Sequence, residues 1–346
     1  MRSIPYFLSA SIAAFVLATT SFALAETTIR YSNWLPTAHP FHKRVILPWT
    51  NEISQVTNGR INVEILPKVV GSVPGQFDVA RDGLADLTLI VNGYSAGRFK
   101  GGEIFELPFL GDNPIALSVA AWRIYNKHLA KLNEYAGTVP LAIWVTGPNQ
   151  VHTKPGSIKS LSDFKGLKIR VATTSWIPIV NALGGVPVQK PVSQVYELMS
   201  TGVVDATFMG LADLKAFNLV DSIPNTLMVP GGIANVSVSI VINEDRWKSI
   251  SAADREAIRT ISGEAFGRKI GQVYYDLDAI GMKAVKAAGN DVSIAEGKLL
   301  ADLKVALKSV DRSWIAKATK AGLSDAEAVL AEFRAEVSAL EKELAK

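Results

Sequence analysis

Cysteine is absent from the chain. Its absence excludes a disulfide scaffold, a thiolate metal site and the lipid anchor that some exported bacterial proteins carry at their cleavage point. No G-x-G-x-x-G or phosphate-loop pattern opens any helix, so nothing supports a nucleotide cofactor. His39 and His42 stand three apart beside Pro40, without H-E-x-x-H or further ligands, and no metal is expected. Charge of one sign is lacking too, since 36 basic residues face 32 acidic ones for a formal charge of +4. The isoelectric point near 9.0 comes without a Lys/Arg run interleaved with aromatics, which argues against nucleic acid. The mixed charges of Glu332 to Lys346 read as a solvated helix face.

Long apolar runs are nearly missing as well. The one near the start, Tyr6 to Leu17, follows Arg2 and precedes Ala23-Leu24-Ala25, an A-x-A cleavage site ahead of the polar Glu26. It is too short to span a bilayer comfortably, and no later stretch approaches ~20 apolar residues. The expectation is an export signal over Met1 to Ala25, cleaved after Ala25, that delivers a soluble protein to the periplasm. The whole sequence is 48% hydrophobic and 20% charged, the balance of a packed globular protein, and what remains after the signal is long enough for two domains.

The mature chain reads as alternating strands and helices. Strands are expected at Thr28–Tyr31, Ile61–Ile65 and Leu87–Val91, the last a continuous apolar run of the buried parallel kind. Helix is expected in part of Phe41–Val56, with Pro48 breaking or kinking it, and at Phe77–Asp82, with a turn at Asn58-Gly59. A second set follows: strands at Leu167–Val171, Val186–Val188 and Val204–Met209, and helices at Trp176–Leu183 and Ser193–Ser200. An unbroken strand is expected at Val236–Ile242. Ser251 with Asp254 then opens a long helical segment reaching about Ala288, roughly 55 Å if continuous and long enough to tie two domains together. Within it Gly263, Gly267 and Gly271 fall four apart, fitting either close backbone contact with a neighbour or a broken helix. Asp325–Leu344 closes the chain as an amphipathic helix. The pattern is α/β in two lobes with a hinge. One lobe takes 26–147 with about 236–275, and the other takes 148–235 with about 276–346.

Two motifs carry possible chemistry. Gly93-Tyr94-Ser95-Ala96-Gly97 matches the G-x-S-x-G nucleophile elbow after a strand, which would make an exported serine hydrolase on Ser95 with His128 or His152 downstream. The residues that follow, Arg98 to Gly102 and then Glu106-Leu107-Pro108, are poor helix material, so a chance match is the better reading. Arg170 lies inside an otherwise apolar strand and points opposite to Ile169 and Val171. It is either an arginine on a solvated face or a guanidinium fork offered to a carboxylate in a cleft, and spacing alone leaves the two level.

The chain resembles the solute-binding subunits of tripartite ATP-independent periplasmic (TRAP) transporters, of the dicarboxylate-binding (DctP) type. The resemblance covers essentially the whole mature chain. Trp34 with His39-Pro40, Thr57-Asn58-Gly59-Arg60 and Glu106-Leu107-Pro108-Phe109-Leu110-Gly111 carry its first half. Leu161 to Val171, ending in Gly-Leu-Lys-Ile-Arg-Val, Ser193-Gln194-Val195-Tyr196 and Thr201-Gly202-Val203-Val204-Asp205 carry the second. It implies two α/β lobes closing on an organic acid, a long helix spanning both, and the ligand carboxylate held by Arg170. The partners would be one small and one large integral membrane permease subunit, with the binding protein itself a monomer and no enzyme. A receptor feeding a sensor or another importer is the remaining alternative.

The departures from that family pattern concern the pocket. Members often carry a second arginine after a Trp-x-x-Gly turn, whereas Trp144-Val145-Thr146-Gly147 is followed here by Pro148-Asn149-Gln150. The asparagine usual after the Val-Asp-Gly turn is missing from Ala206 to Gly210, and Val192 replaces an aromatic. A monocarboxylate with an apolar or aromatic body is therefore expected, packed against Trp34, Trp176, Phe208 and Met209. Asn149, Gln150 and Asn235 would supply hydrogen bonds, with Asn92 and Tyr94 at the end of the Leu87–Val91 strand. Lys190, His39 or His42 would replace the missing charge if they reached the cleft.

Overall fold

A computed structural model describes residues 26–346, so the expected export signal lies outside the described residues. Eleven strands form two mixed sheets. The first contains β1 (Thr27–Ser32), β2 (Ile61–Ile65), β3 (Leu87–Val91), β4 (Thr138–Val145) and β10 (Ser237–Asn243) in the order β2-β1-β3-β10-β4. The second contains β5 (Gln150–Thr153), β6 (Lys168–Val171), β7 (Val186–Gln189), β8 (Ala206–Met209), β9 (Asn225–Met228) and β11 (Asp291–Ile294) in the order β11-β9-β5-β8-β6-β7. Strand β10 inserts between β3 and β4, antiparallel to both, so the chain re-enters its first sheet after building most of the second. Every residue of β3 is buried, and its one polar side chain, Thr88, donates to the Gln76 carbonyl at 3.0 Å.

Pro48 does not break its helix. A π-helical turn, His42–Ile46, runs directly into the helix Leu47–Val56, and this widened turn just ahead of Pro48 accommodates a residue that has no N–H to give. The long segment from Ser251 is not continuous. A helix Ala252–Thr260 ends, Ser262 Oγ turns back to donate to the Ile258 carbonyl at 2.7 Å, and Gly263 restarts at a φ of +53°. A side chain at Gly263 would also run into the Trp122 ring, at 2.6 Å from its Cε2. The remaining helix, Gly263–Ala287, has 25 residues and spans roughly 37 Å.

That helix touches both lobes. Its first half packs on the helix Pro114–Ile124 and on β4, and its second half on the helix Leu211–Ala216 and on β11. Glycine sets the spacing at each end: a Cβ on Gly271 would lie 2.6 Å from Ile115 Cα, and one on Gly281 would collide with the Leu211 carbonyl oxygen. Both readings of the glycine series therefore hold, a break at Gly263 and close backbone contact beyond it.

The chain crosses between the sheets twice more, at 146–149 and 229–236. These two segments pair as a bridge between Asn149 and Ala234. Beside them Glu106 is buried without a cation. Its Oε2 accepts from Thr173 Oγ1 at 2.9 Å and from Ser175 Oγ, and its Oε1 accepts from Ser237 Oγ at 2.7 Å. Burial pushes this carboxyl up while the three hydroxyls pull it back. The glutamate of the Glu-Leu-Pro motif thus joins β10 of the first sheet to the loop after β6 of the second. No helix among the described residues is long and apolar enough to cross a membrane.

Candidate functional site

The two sheets enclose a cavity at the crossings. The first lobe contributes Trp34, His39, Tyr94 and Trp144, and the second contributes Asn149, Arg170, Trp176, Phe208, Met209 and Asp213. Phe217 and, from the long helix, Ile270 and Tyr274 close the wall. Its volume is about 80 Å³, room for a compact molecule. Trp34 and Trp176 are fixed by their indole N–H groups, which donate to the Leu89 and Asn235 carbonyls at 2.8 and 2.9 Å.

Arg170 is 2% exposed, a charge buried between Ile169 and Val171 in a strand whose other charged residue, Lys168, is exposed. Its Nε donates to the Lys190 carbonyl at 2.9 Å, which fixes the fork, while Nη2 is buried with no partner. Burial disfavours its charge, and the neighbouring Tyr94 and Asp213 oppose that effect. Tyr94 Oη accepts from the Val192 N–H at 2.9 Å, so the phenol of one lobe is tied to the backbone of the other directly beside the guanidinium.

Three further nitrogens on the cavity wall are buried and unpartnered: Asn149 Nδ2, Trp144 Nε1 and His39 Nε2. His39 Nδ1 accepts from the Phe41 N–H at 3.3 Å, which places the proton on Nε2. Burial, with His42 beside it, pushes the His39 imidazole down to about 4, so it is neutral near pH 7. A buried donor without an acceptor costs about 1–3 kcal/mol, and four of them belong to residues that line this one cavity. None of the four has an acceptor among the described residues.

Of the residues expected from sequence, Arg170, Trp34, Tyr94, Asn149, Trp176, Phe208 and Met209 meet at this cavity. Asn92, Gln150 and Asn235 are buried elsewhere. Asn92 links Tyr135 Oη and Ser239 Oγ at 3.0 and 2.9 Å. Gln150 Oε1 accepts from the Val229 N–H at 2.6 Å, because β5 alternation turns it away from its neighbour Asn149. Asn235 Nδ2 donates to the Leu107 carbonyl at 3.3 Å. His39 reaches the wall, but His42 does not, and Lys190 lines a separate surface depression. Sequence reasoning missed Trp144, Asp213, Phe217 and Tyr274. Trp144 had a signal, the apolar run Leu141–Val145 that became β4, whereas Asp213 sits on a six-residue helix with none.

Neither downstream histidine is bonded to the serine of the motif. Ser95 follows a single 3-10 turn, Asn92–Tyr94, rather than opening a helix. His128 bonds Glu332 at 3.0 Å, and His152 is buried between Thr226 and the Met209 carbonyl, each at 3.0 Å.

Two lobes around a donor-rich cavity are the build of a solute-binding protein. The chain matches the family model described as bacterial extracellular solute-binding protein, family 7, over residues 31–317, and it belongs to that family. It is similar to a TRAP periplasmic solute-binding protein from Bordetella bronchiseptica solved with bound (R)- and (S)-mandelate, with a TM-score of 0.87, 33% identity, and coverage of 91% of this chain and 99% of that one. A TRAP solute-binding protein from Rhodoferax ferrireducens, in complex with copurified benzoate, superimposes with a TM-score of 0.84 at 26% identity over 92% of this chain and 99% of that one. Among curated relatives, the outer membrane transporter protein TsaT of Comamonas testosteroni is 29% identical over 96% of this chain and 97% of its own length. The chain is thus a TRAP solute-binding protein of the DctP type, a transport component rather than an enzyme.

Proposed function

We propose that the protein captures an aromatic or similarly apolar monocarboxylate in the interlobe cavity and delivers it from the periplasm to the two membrane subunits of a TRAP permease. The observation that carries this reading is Arg170 Nη2, a buried guanidinium nitrogen without a partner in a cavity walled by aromatic rings. A ligand carboxylate would accept from it and from Asn149 or Trp144, in surroundings where low dielectric strengthens the pair. The mandelate and benzoate held by the two structural relatives are acids of this kind.

Arg170 is the one lysine or arginine on the wall, and Asp213 stands on the same wall. A second ligand carboxylate would be buried without a cation and next to another acid, which is strongly unfavourable. Isothermal titration with benzoate, mandelate, branched keto acids, succinate, malate and fumarate tests the reading. The monocarboxylates should bind at least about 100-fold more tightly, the scale set by an unpaired buried charge. Tight binding of a four-carbon dicarboxylate, with none of the monocarboxylates bound, would overturn it.

The lobes, 26–147 with about 236–275 and 148–235 with about 276–346, would open at the crossings when the cavity is empty. Small-angle scattering should therefore show a smaller radius of gyration with saturating ligand than without. Superimposable profiles would argue for a rigid site.

A further inference from the structure

We propose that Asp213 reads a hydroxyl group, so that the preferred ligand is an aromatic monocarboxylic acid bearing a hydroxyl donor as well as its carboxylate. The inference rests on the reading of the cavity as an aromatic-acid site and adds the residue that selects within that class. Asp213 is the one acidic side chain on the wall. Its carboxylate accepts no hydrogen bond and makes no ion pair with a cation within 4.0 Å among the described residues, although Arg170 is near enough for each to shift the other's ionisation. The guanidinium and the carboxylate thus face one cavity without touching. All four unpartnered wall nitrogens are donors suited to the ligand's carboxylate, which leaves Asp213 as the charged acceptor.

A donor on the ligand would complete it. A hydroxyl offers one proton to one acceptor. An ammonium brings three donors and a full charge into a wall with a single anionic acceptor, and it would remain under-satisfied there.

The surroundings give the selection a pH signature. The groups near Asp213 are Arg170 from β6, Tyr94 after β3, and Tyr274 and Asp278 from the long helix, and the neutral His39 lines the same cavity. Burial first, and Asp278 second, push the Asp213 carboxyl up to about 7, against the pull of Arg170. Below that value it is neutral. Above it the carboxylate is a charge-assisted acceptor for a hydroxyl and a repelling neighbour for a ligand that has only its own carboxylate. The preference for the hydroxylated acid should therefore grow from pH 6 to pH 8.

The test is calorimetry on the exported chain with benzoate, the three hydroxybenzoates, phenylacetate, mandelate and 3-(aminomethyl)benzoate. Wild type, Asp213→Asn and Asp213→Leu are compared at pH 6 and pH 8. At pH 8 the best hydroxylated acid should beat its parent by about tenfold or more in the wild type, with a smaller ratio at pH 6. Asp213→Asn should keep binding but lose the pH dependence of the ratio. Asp213→Leu should bring the ratio near one while still binding the parent acid. Equal affinities for hydroxylated and parent acids in the wild type, a ratio unchanged in Asp213→Leu, or tightest binding of the aminomethyl acid would each overturn the assignment to Asp213. Failure of the wild type to bind any aromatic acid would instead overturn the ligand class on which it rests.

Discussion

Replacing Arg170 by alanine should abolish measurable binding of the organic acid and leave the fold intact. Loss of one member of a buried, hydrogen-bonded charge pair costs about 2–5 kcal/mol, or about 30- to several-thousand-fold in affinity. The ligand-free protein should tolerate the change well, because Arg170 there is a buried cation with an unpartnered Nη2 and one bond, to the Lys190 carbonyl. Its melting temperature should stay within a few degrees of wild type, where about 1 kcal/mol moves a domain of this size by ~2–4 °C. Arg170→Lys should fail almost as badly. An ammonium offers a point charge in place of a planar fork and cannot hold the Lys190 carbonyl and a carboxylate with the same geometry. Calorimetry beside thermal melts reads both results, and near-unchanged affinity in either variant would remove Arg170 from the site.

The strands of both sheets that were legible from sequence share one property: their side chains alternate or run apolar within bounds set by glycine, proline or asparagine. Strands β1, β2, β3, β6, β7, β8 and β10 were of this kind. The strands β4, β5, β9 and β11 were not singled out: Thr138–Val145 is interrupted by Pro140, and the other three are short and each opens on a polar residue, Gln150, Asn225 or Asp291. The long helix was visible by its period, but its break was not, because it rests on the positive φ of Gly263 and on Trp122, a neighbour distant in sequence that occupies the place of a side chain there. Similar logic divides the site. Arg170 was conspicuous because a charge inside an apolar strand contradicts its surroundings. Asn149 and Gln150 could not be told apart from sequence, as adjacent strand residues face opposite ways and only the placement of β5 decides which meets the cavity. Asp213 and Tyr274 were invisible because their position depends on how the helix Leu211–Ala216 lies against the helix Gly263–Ala287, a contact with no local signature.

That contact yields the second large effect. Gly267, Gly271 and Gly281 all lie on the long helix, yet alanine should act differently at each. At Gly267 the new Cβ would meet Ser118 at 3.6 Å, an ordinary van der Waals distance. Gly267→Ala should therefore be neutral or stabilising, by up to about 1 kcal/mol from the lower backbone entropy of the unfolded chain. At Gly271 the Cβ would press on Ile115 Cα at 2.6 Å, and at Gly281 on the Leu211 carbonyl oxygen. Both neighbours are backbone, so neither can swing aside, and each alanine should destabilise by about 1–3 kcal/mol. The two differ in what moves. Ile115 belongs to the helix Pro114–Ile124, away from the cavity, whereas Leu211 begins the short helix that carries Asp213 to the wall and leads to Phe217. The Ala212 N–H on that helix also donates to Asp278 Oδ1 at 2.8 Å, a bond that would shift with it. Gly281→Ala should thus lower both melting temperature and ligand affinity, and Gly271→Ala the melting temperature alone. Equal affinity losses in the two variants, or none in Gly281→Ala despite its lower melting temperature, would show that the short helix does not set the geometry of the site.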